Sequence, residues 1–246
     1  MDGLALLSIA LLMALAAALY SSVGHGGASA YLAIMALFAL PVTTMRPTAL
    51  ALNLLVAGLG TWRYARAGQF DLRLFLAFAV TAIPLAFVGG GIAVPPEIYR
   101  PLVGLVLWFA ALRLLWRPRV MAERPVRAPS LGVTLPAGAA IGLLAGLTGT
   151  GGGIFLSPLI LLFGWETPRK TSGIAAAFIL ANSIAGLAGN VASLGALPTE
   201  LPVLLGAVAA GGMLGTWLGV ERLPRAALLQ LLGLVLLVAG AKLLFT

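Results

Sequence analysis

Two short stretches decide the fold: Gly24-His25-Gly26-Gly27-Ala28 and, 125 residues further on, Gly149-Thr150-Gly151-Gly152-Gly153. Each is embedded in apolar sequence and is followed by a short apolar run, Ala28–Leu40 and Ile154–Trp165. Runs of about a dozen residues fall short of the roughly 20 needed to cross a bilayer. A chain that turns inside a membrane must leave backbone N–H and C=O groups outside regular hydrogen bonding, which is tolerated only where protein or a watery cavity receives them. Glycine supplies the positive φ angles and the close approach that such a turn requires. The two stretches therefore predict broken or re-entrant helices at matching places in the chain.

Outward from them lie eight longer apolar segments: Leu4–Tyr20, Thr48–Trp62, Leu74–Val94, Pro101–Trp116, Val133–Leu147, Ser172–Val191, Leu201–Val220 and Ala226–Leu244. All eight are expected to cross a bilayer, the shorter ones by snorkelling flanking Arg side chains. With 61% hydrophobic and 9% charged residues, against roughly 25% charged in soluble domains, the chain reads as an all-α polytopic membrane protein with no soluble domain. The 31 glycines fit this class, because small residues let membrane helices approach closely. The absence of cysteine excludes disulfides, Cys-ligated zinc and thiol chemistry. The first segment resembles a signal peptide only in length, since its start carries Asp2 and no basic residue, and it has an internal counterpart in Val133–Leu147.

That counterpart belongs to a duplication of the whole chain. Pro95 pairs with Pro224, Gly104-Leu105-Val106-Leu107 with Gly233-Leu234-Val235-Leu236, and Arg113-Leu114-Leu115 with Lys242-Leu243-Leu244, all at an offset of 129. The expected organisation is a first transmembrane repeat over residues 1–117, a basic cytoplasmic linker over 118–130 and a second repeat over 131–246. About five segments per half is an odd number, so the repeats should be inverted relative to each other. The basic residues agree. With the linker in the cytoplasm, Arg63, Arg66, Arg73, Arg113, Arg117, Arg119, Arg124, Arg127, Arg169, Lys170, Arg222 and Arg225 fall inside. Only Arg46, Arg100 and Lys242 fall outside, a strong positive-inside bias. The net charge of +8 is thereby explained by insertion, and no nucleic-acid partner is expected. Inverted repeats with broken helices are a transporter architecture whose substrate site lies near the midplane.

The candidate substrate-binding residues are Gly24, His25, Gly26, Gly27, Thr148, Gly149, Thr150, Gly151, Gly152, Gly153, Asn53 and Asn182. The glycine clusters open onto helix N-termini, whose free N–H groups and positive dipole ends favour an anion. Packing alone is the competing reading, and it is the one adopted for Gly211-x-x-x-Gly215-x-x-x-Gly219. Neither cluster fits the dinucleotide fingerprint, because Ser29 and Ile154 occupy the third glycine position. His25, the single histidine, reads as an anion ligand, a proton shuttle or a donor to turn carbonyls. Asn53 and Asn182 are polar residues in otherwise apolar segments and default to functional candidates, with an interhelical bond as the alternative. Ser21, Ser22, Ser183 and Asn190 are further polar residues of the same kind, Ser21 and Ser183 being the weaker because Ser usually back-bonds to its own helix.

None of the seven acidic residues lies in a segment centre, which points away from cations and towards anions or neutral solutes. With no H-E-x-x-H, G-x-S-x-G or P-loop, no catalytic residue, metal or cofactor is expected. The partners expected are a small anion and the lipid bilayer, with a homo-oligomer left open. A non-transporting scaffold or assembly subunit, in which the glycines serve packing alone, is the alternative.

The run Gly146-Leu147-Thr148-Gly149-Thr150-Gly151-Gly152-Gly153, followed by Pro158 and by Arg169-Lys170-Thr171-Ser172-Gly173, resembles the second half of the sulfite exporter TauE/SafE family. The likeness extends over nearly the whole chain. It implies a secondary transporter in the bacterial inner membrane that exports sulfite, an organosulfonate or a related anion by alternating access. The first half departs from the pattern, with His25 and Ala28 in place of Thr150 and Gly153, and Thr48-Ala49 where Ser172-Gly173 stands.

Overall fold

The computed structural model describes residues 3–22, 24–115, 126–221, 236–238 and 240–245. Among these, every regular element is helical. In chain order they are α1 (Gly3–Ser21), α2 (Ala28–Leu37), α3 (Val42–Arg66), α4 (Leu72–Gly91), α5 (Pro96–Leu115), α6 (Leu131–Thr148), α7 (Gly153–Leu162), α8 (Pro168–Gly189) and α9 (Leu201–Glu221). A 3-10 turn, Val191–Ala196, joins α8 to α9, and a last helix occupies Leu236–Phe245. Five helices, α1, α3, α4, α6 and α8, are long and apolar enough to cross a membrane. The fifth and tenth segments of the sequence reading, also expected to cross, include residues outside the described set, as does most of the linker, and the ninth ends on side chains (218–220) that are outside it.

The two short segments behave as expected. α2 and α7 have ten residues each. At about 1.5 Å per residue each reaches roughly half of a ~30 Å hydrocarbon core. α3 begins earlier than the reading from Thr48 implied, taking in Arg46 and Pro47. The charge is carried there because the Arg46 guanidinium donates to Ile92 O at 3.1 Å and to Gly90 O, the free carbonyls at the end of α4. The loops are closed by ordinary chemistry: Asp71 caps α4 by accepting from the Leu74 amide at 3.0 Å, and α8 opens on Pro168 behind Thr167.

Glycines set how the long helices pack. A Cβ at Gly138, Gly142 or Gly146 of α6 would meet the carbonyls of Phe78, Ala82 and Ala86 on α4, so these two helices run in the same direction in close contact. Gly211 and Gly215 of α9 face Ala14 O and Ala18 O of α1 in the same way, as the packing reading of that zipper required. Gly219 lies outside the described side chains. α3 and α8 run in opposite directions: Gly60 meets Ala176, Asn53 meets Ser183 and Gly186 meets Leu50.

The pairings are reciprocal between the halves. The fourth helix of each half packs on the first helix of the other, α4 on α6 and α9 on α1, while α3 and α8 pack on each other. Residue contacts repeat with an offset of 126: Gly60 against Ala176 is matched by Gly186 against Leu50, and both 60 and 50 advance by 126 to give 186 and 176. α2 and α7 also end alike. Leu40 N donates to Met35 O with Ala39 at φ 56°, and Trp165 N donates to Ile160 O with Gly164 at φ 65°.

Candidate functional site

α1 ends in a Schellman motif: His25 N donates to Tyr20 O at 2.9 Å and Gly24 N to Ser21 O at 3.1 Å, with Gly24 at φ 76°. α6 ends on Gly149 at φ 83°. The chain then reverses through two further residues and starts a short helix. The N-caps of α2 and α7 are Gly27 and Gly152, both left-handed, at φ 95° and 82°, and neither helix start has a side-chain cap. The first-turn N–H groups of both helices are thus left pointing out of uncapped ends, the arrangement that favours negative charge.

The two turns converge on the same side chains. A Cβ built at Gly26 would lie 2.5 Å from Asn53 Oδ1 and 3.0 Å from Ile179 Cγ2. One built at Gly151 would lie 2.8 Å from Ile179 Cγ2 and 2.9 Å from Asn53 Nδ2. Asn53 of α3 and Ile179 of α8 stand 126 residues apart, so they are the equivalent positions of the two halves, wedged between the two turns. One step outward the reciprocity persists: Gly24 abuts Ser172 on α8, and Gly149 abuts Arg46 on α3. Gly27 is covered by the ring of Tyr31, whose hydroxyl donates to Gly26 O at 2.8 Å. Gly152 and Gly153 face apolar groups instead, Ile141, Phe178 and Ile179.

Polar side chains gather on this centre. Asn53 Nδ2 donates to Ser183 Oγ at 3.4 Å, and Asn182 Nδ2 to Gly151 O at 3.5 Å. The Thr148 hydroxyl lies 3.0 Å from that of Thr150 and 2.6 Å from Leu144 O, while Thr148 O accepts from the Tyr99 hydroxyl at 3.1 Å. On the opposite side the hydroxyls of Tyr20 and Ser29 lie 2.8 Å apart. Asn53, Asn182, Thr148 and Ser183 are all fully buried, yet Asn53 Oδ1 and Asn182 Oδ1 have no hydrogen-bond partner among the described residues. His25 is half-buried with its ring edge-on to Tyr20 at 6.2 Å.

All twelve sequence candidates therefore lie on the two turns or on the helices packed between them. Asn190 does not join them; its side chain caps the 3-10 turn by accepting from Ser193 N at 3.2 Å. The sequence reading missed Ile179, Tyr31 and Arg46. The signal for Ile179 was the offset itself, since the partner of Asn53 is found by adding 126, and the apolar residue there carries no label of its own.

A polytopic helical protein whose two glycine turns bring uncapped helix starts to shared buried amides has the form of a membrane transporter. The sulfite exporter TauE/SafE family model matches residues 9–243, and the chain belongs to that family. It is 40% identical over 229 residues, 92% of this chain and 93% of the relative, to a probable membrane transporter protein, y4hK, of Sinorhizobium fredii. No solved structure matches it.

Proposed function

We propose that this chain is a secondary transporter that exports a small sulfur-containing anion, sulfite or an organosulfonate, across the bacterial inner membrane by alternating access. The observation that carries the reading is the convergence of Gly26 and Gly151, each one residue before an uncapped helix start, on Asn53. Dipole ends contribute about 0.3–1 kcal/mol each when exposed and up to ~2 when partly buried. Two of them, with the Thr150 hydroxyl turned from Thr148 Oγ1 to the ligand, hold a monovalent anion without a permanent positive charge, while the Thr148 hydroxyl goes on donating to Leu144 O. Reversible capture is what transport needs, and a buried Arg in contact with a small anion would oppose release. Arg46 is spent on the carbonyls of Gly90 and Ile92.

In this reading the repeats are inverted. Support comes from the antiparallel run of the equivalent helices α3 and α8, and from the basic residues gathered at one side. Residues 1–117 and 131–246 are the two units that rock about the centre, and the site opens to each face in turn. The test is flux in proteoliposomes with sulfite and a panel of sulfonates. Saturable movement of at least one of these anions is expected, and movement of cations alone would refute the proposal.

A further inference from the structure

Two atoms at the centre are left without partners among the described residues, and their chemistry restricts what can bind. Asn182 Nδ2 donates to Gly151 O. A backbone carbonyl only accepts, so the amide cannot be turned round and Oδ1 is its open end. Asn53 directs Oδ1 to the Gly26 turn, with Nδ2 engaged by Ser183. Both oxygens belong to residues with 0% exposure. A buried acceptor left unpaired costs a factor of roughly 5 to 150 in an equilibrium constant. The nearby helix starts and the Thr150 hydroxyl supply donors for anionic oxygens, but among the described residues nothing donates to these two carbonyls.

An anion whose surface is all lone pairs would meet the helix starts well and the asparagine oxygens badly. An anion that also carries a proton meets both. We infer that the site takes a monovalent oxyanion with a hydrogen-bond donor on its central atom, an S–OH or S–NH group, whose proton is directed to Asn182 Oδ1 or Asn53 Oδ1. This rests on the anion reading of the same site and deepens it. It narrows the class to singly protonated or amidated oxyanions and sets simple alkyl sulfonates aside.

Sulfamate and methanesulfonate test this without a pH variable. Both are permanently monovalent, nearly the same size, and differ by an amino against a methyl group. With the purified wild-type protein, sulfamate should bind about tenfold or more tightly than methanesulfonate, read by ligand-induced thermal stabilisation, and the two should rank alike in competing with sulfite flux. Asn182→Ala and Asn53→Ala should each bring the two affinities closer together. Equal binding of both anions by the wild type overturns the donor requirement while leaving the anion site standing. Discrimination undiminished in both variants overturns its assignment to these oxygens. Binding of neither anion, with no flux of any anion, overturns the function proposed above as well. The wild-type comparison needs no variant to fold.

Discussion

Replacing Gly26 by alanine probes the centre with one atom. Gly26 is absent from the glycines with positive φ, so alanine there meets no left-handed penalty. The whole effect comes from its methyl, which would lie 2.5 Å from Asn53 Oδ1 and 3.0 Å from both Asn53 Cγ and Ile179 Cγ2. Both neighbours are almost fully buried, Asn53 at 0% and Ile179 at 2%, and neither can swing into solvent. Overpacking of this kind costs about 1–3 kcal/mol. Unfolding in detergent should show that loss for Gly26→Ala. In the double variant with Asn53→Ala the loss should shrink, giving an interaction energy of about 0.5–3 kcal/mol. Anion flux should fall about tenfold or more in Gly26→Ala, because Asn53 must move to admit the methyl. Additive stabilities together with wild-type flux would refute the claim that this turn and Asn53 share one site.

Gly151→Val should abolish transport while leaving membrane insertion intact, since φ 73° and the Ile179 and Asn53 contacts exclude a branched side chain but segment hydrophobicity is unchanged; insertion is read by membrane fractionation and transport by flux. Ala39→Gly should stabilise the protein by about 1 kcal/mol in thermal unfolding, because Ala39 holds the left-handed position that Gly164 holds in the second half. Single cysteines at Ala122 and Thr246 should label from opposite sides of the membrane with an impermeant reagent, as inverted repeats demand. His25→Gln should flatten the flux profile between about pH 5 and 8 if imidazolium charge aids anion capture, with flux in the wild type rising as pH falls; an unchanged profile would remove His25 from the cycle.

How far the sequence could be read depended on which residues carry their own signal. The glycine turns were legible because a run of three or four glycines in apolar sequence has few causes, and Gly24, Gly27, Gly149, Gly151 and Gly152 all adopt the positive φ that runs of this kind allow. The zipper on α9 was legible by spacing, yet the equal one on α6, Gly138-x-x-x-Gly142-x-x-x-Gly146, passed as ordinary apolar composition. Asn53 and Asn182 stood out by polarity and by lying in equivalent segments at unmatched offsets, but the partner of each in the other half did not. Asn53 is equivalent to Ile179, and Asn182 to Val56, because the offset within the central helices is 126. Arg46 was counted only as a loop charge. What holds it inside α3 is a pair of carbonyls 44 and 46 residues away, which no local pattern announces.

The departures from symmetry are as informative as the symmetry. A transporter built from two equivalent halves would, were they identical, have two end states of equal free energy, each sealed at one face. Here the frame is reciprocal and the side chains on it are not. At one end of the central pair Gly149 rests against Arg46, a residue at 8% exposure that donates to Gly90 O and Ile92 O. At the other end Gly24 rests against Ser172, half-exposed, whose hydroxyl only turns back to Pro168 O at 3.1 Å. Hydrogen bonds from a charged donor are worth about 1.5–3 kcal/mol each. Both Arg46 bonds stay within residues 1–117, so rocking of one half against the other carries the anchored guanidinium along intact, just as the Ser172 bond stays within its own helix. In the proposed cycle one end therefore presents a fixed guanidinium beside Gly149 and the other a small hydroxyl beside Gly24, so the two end states are not equivalent. An anion shifts the balance between them only to the extent that it binds one state more tightly. The pairing of Arg46 with Ser172 thus makes the two ends of the cycle unlike, and that of Asn53 with Ile179 and of Asn182 with Val56 leaves the two amides of the centre at unmatched positions of the halves.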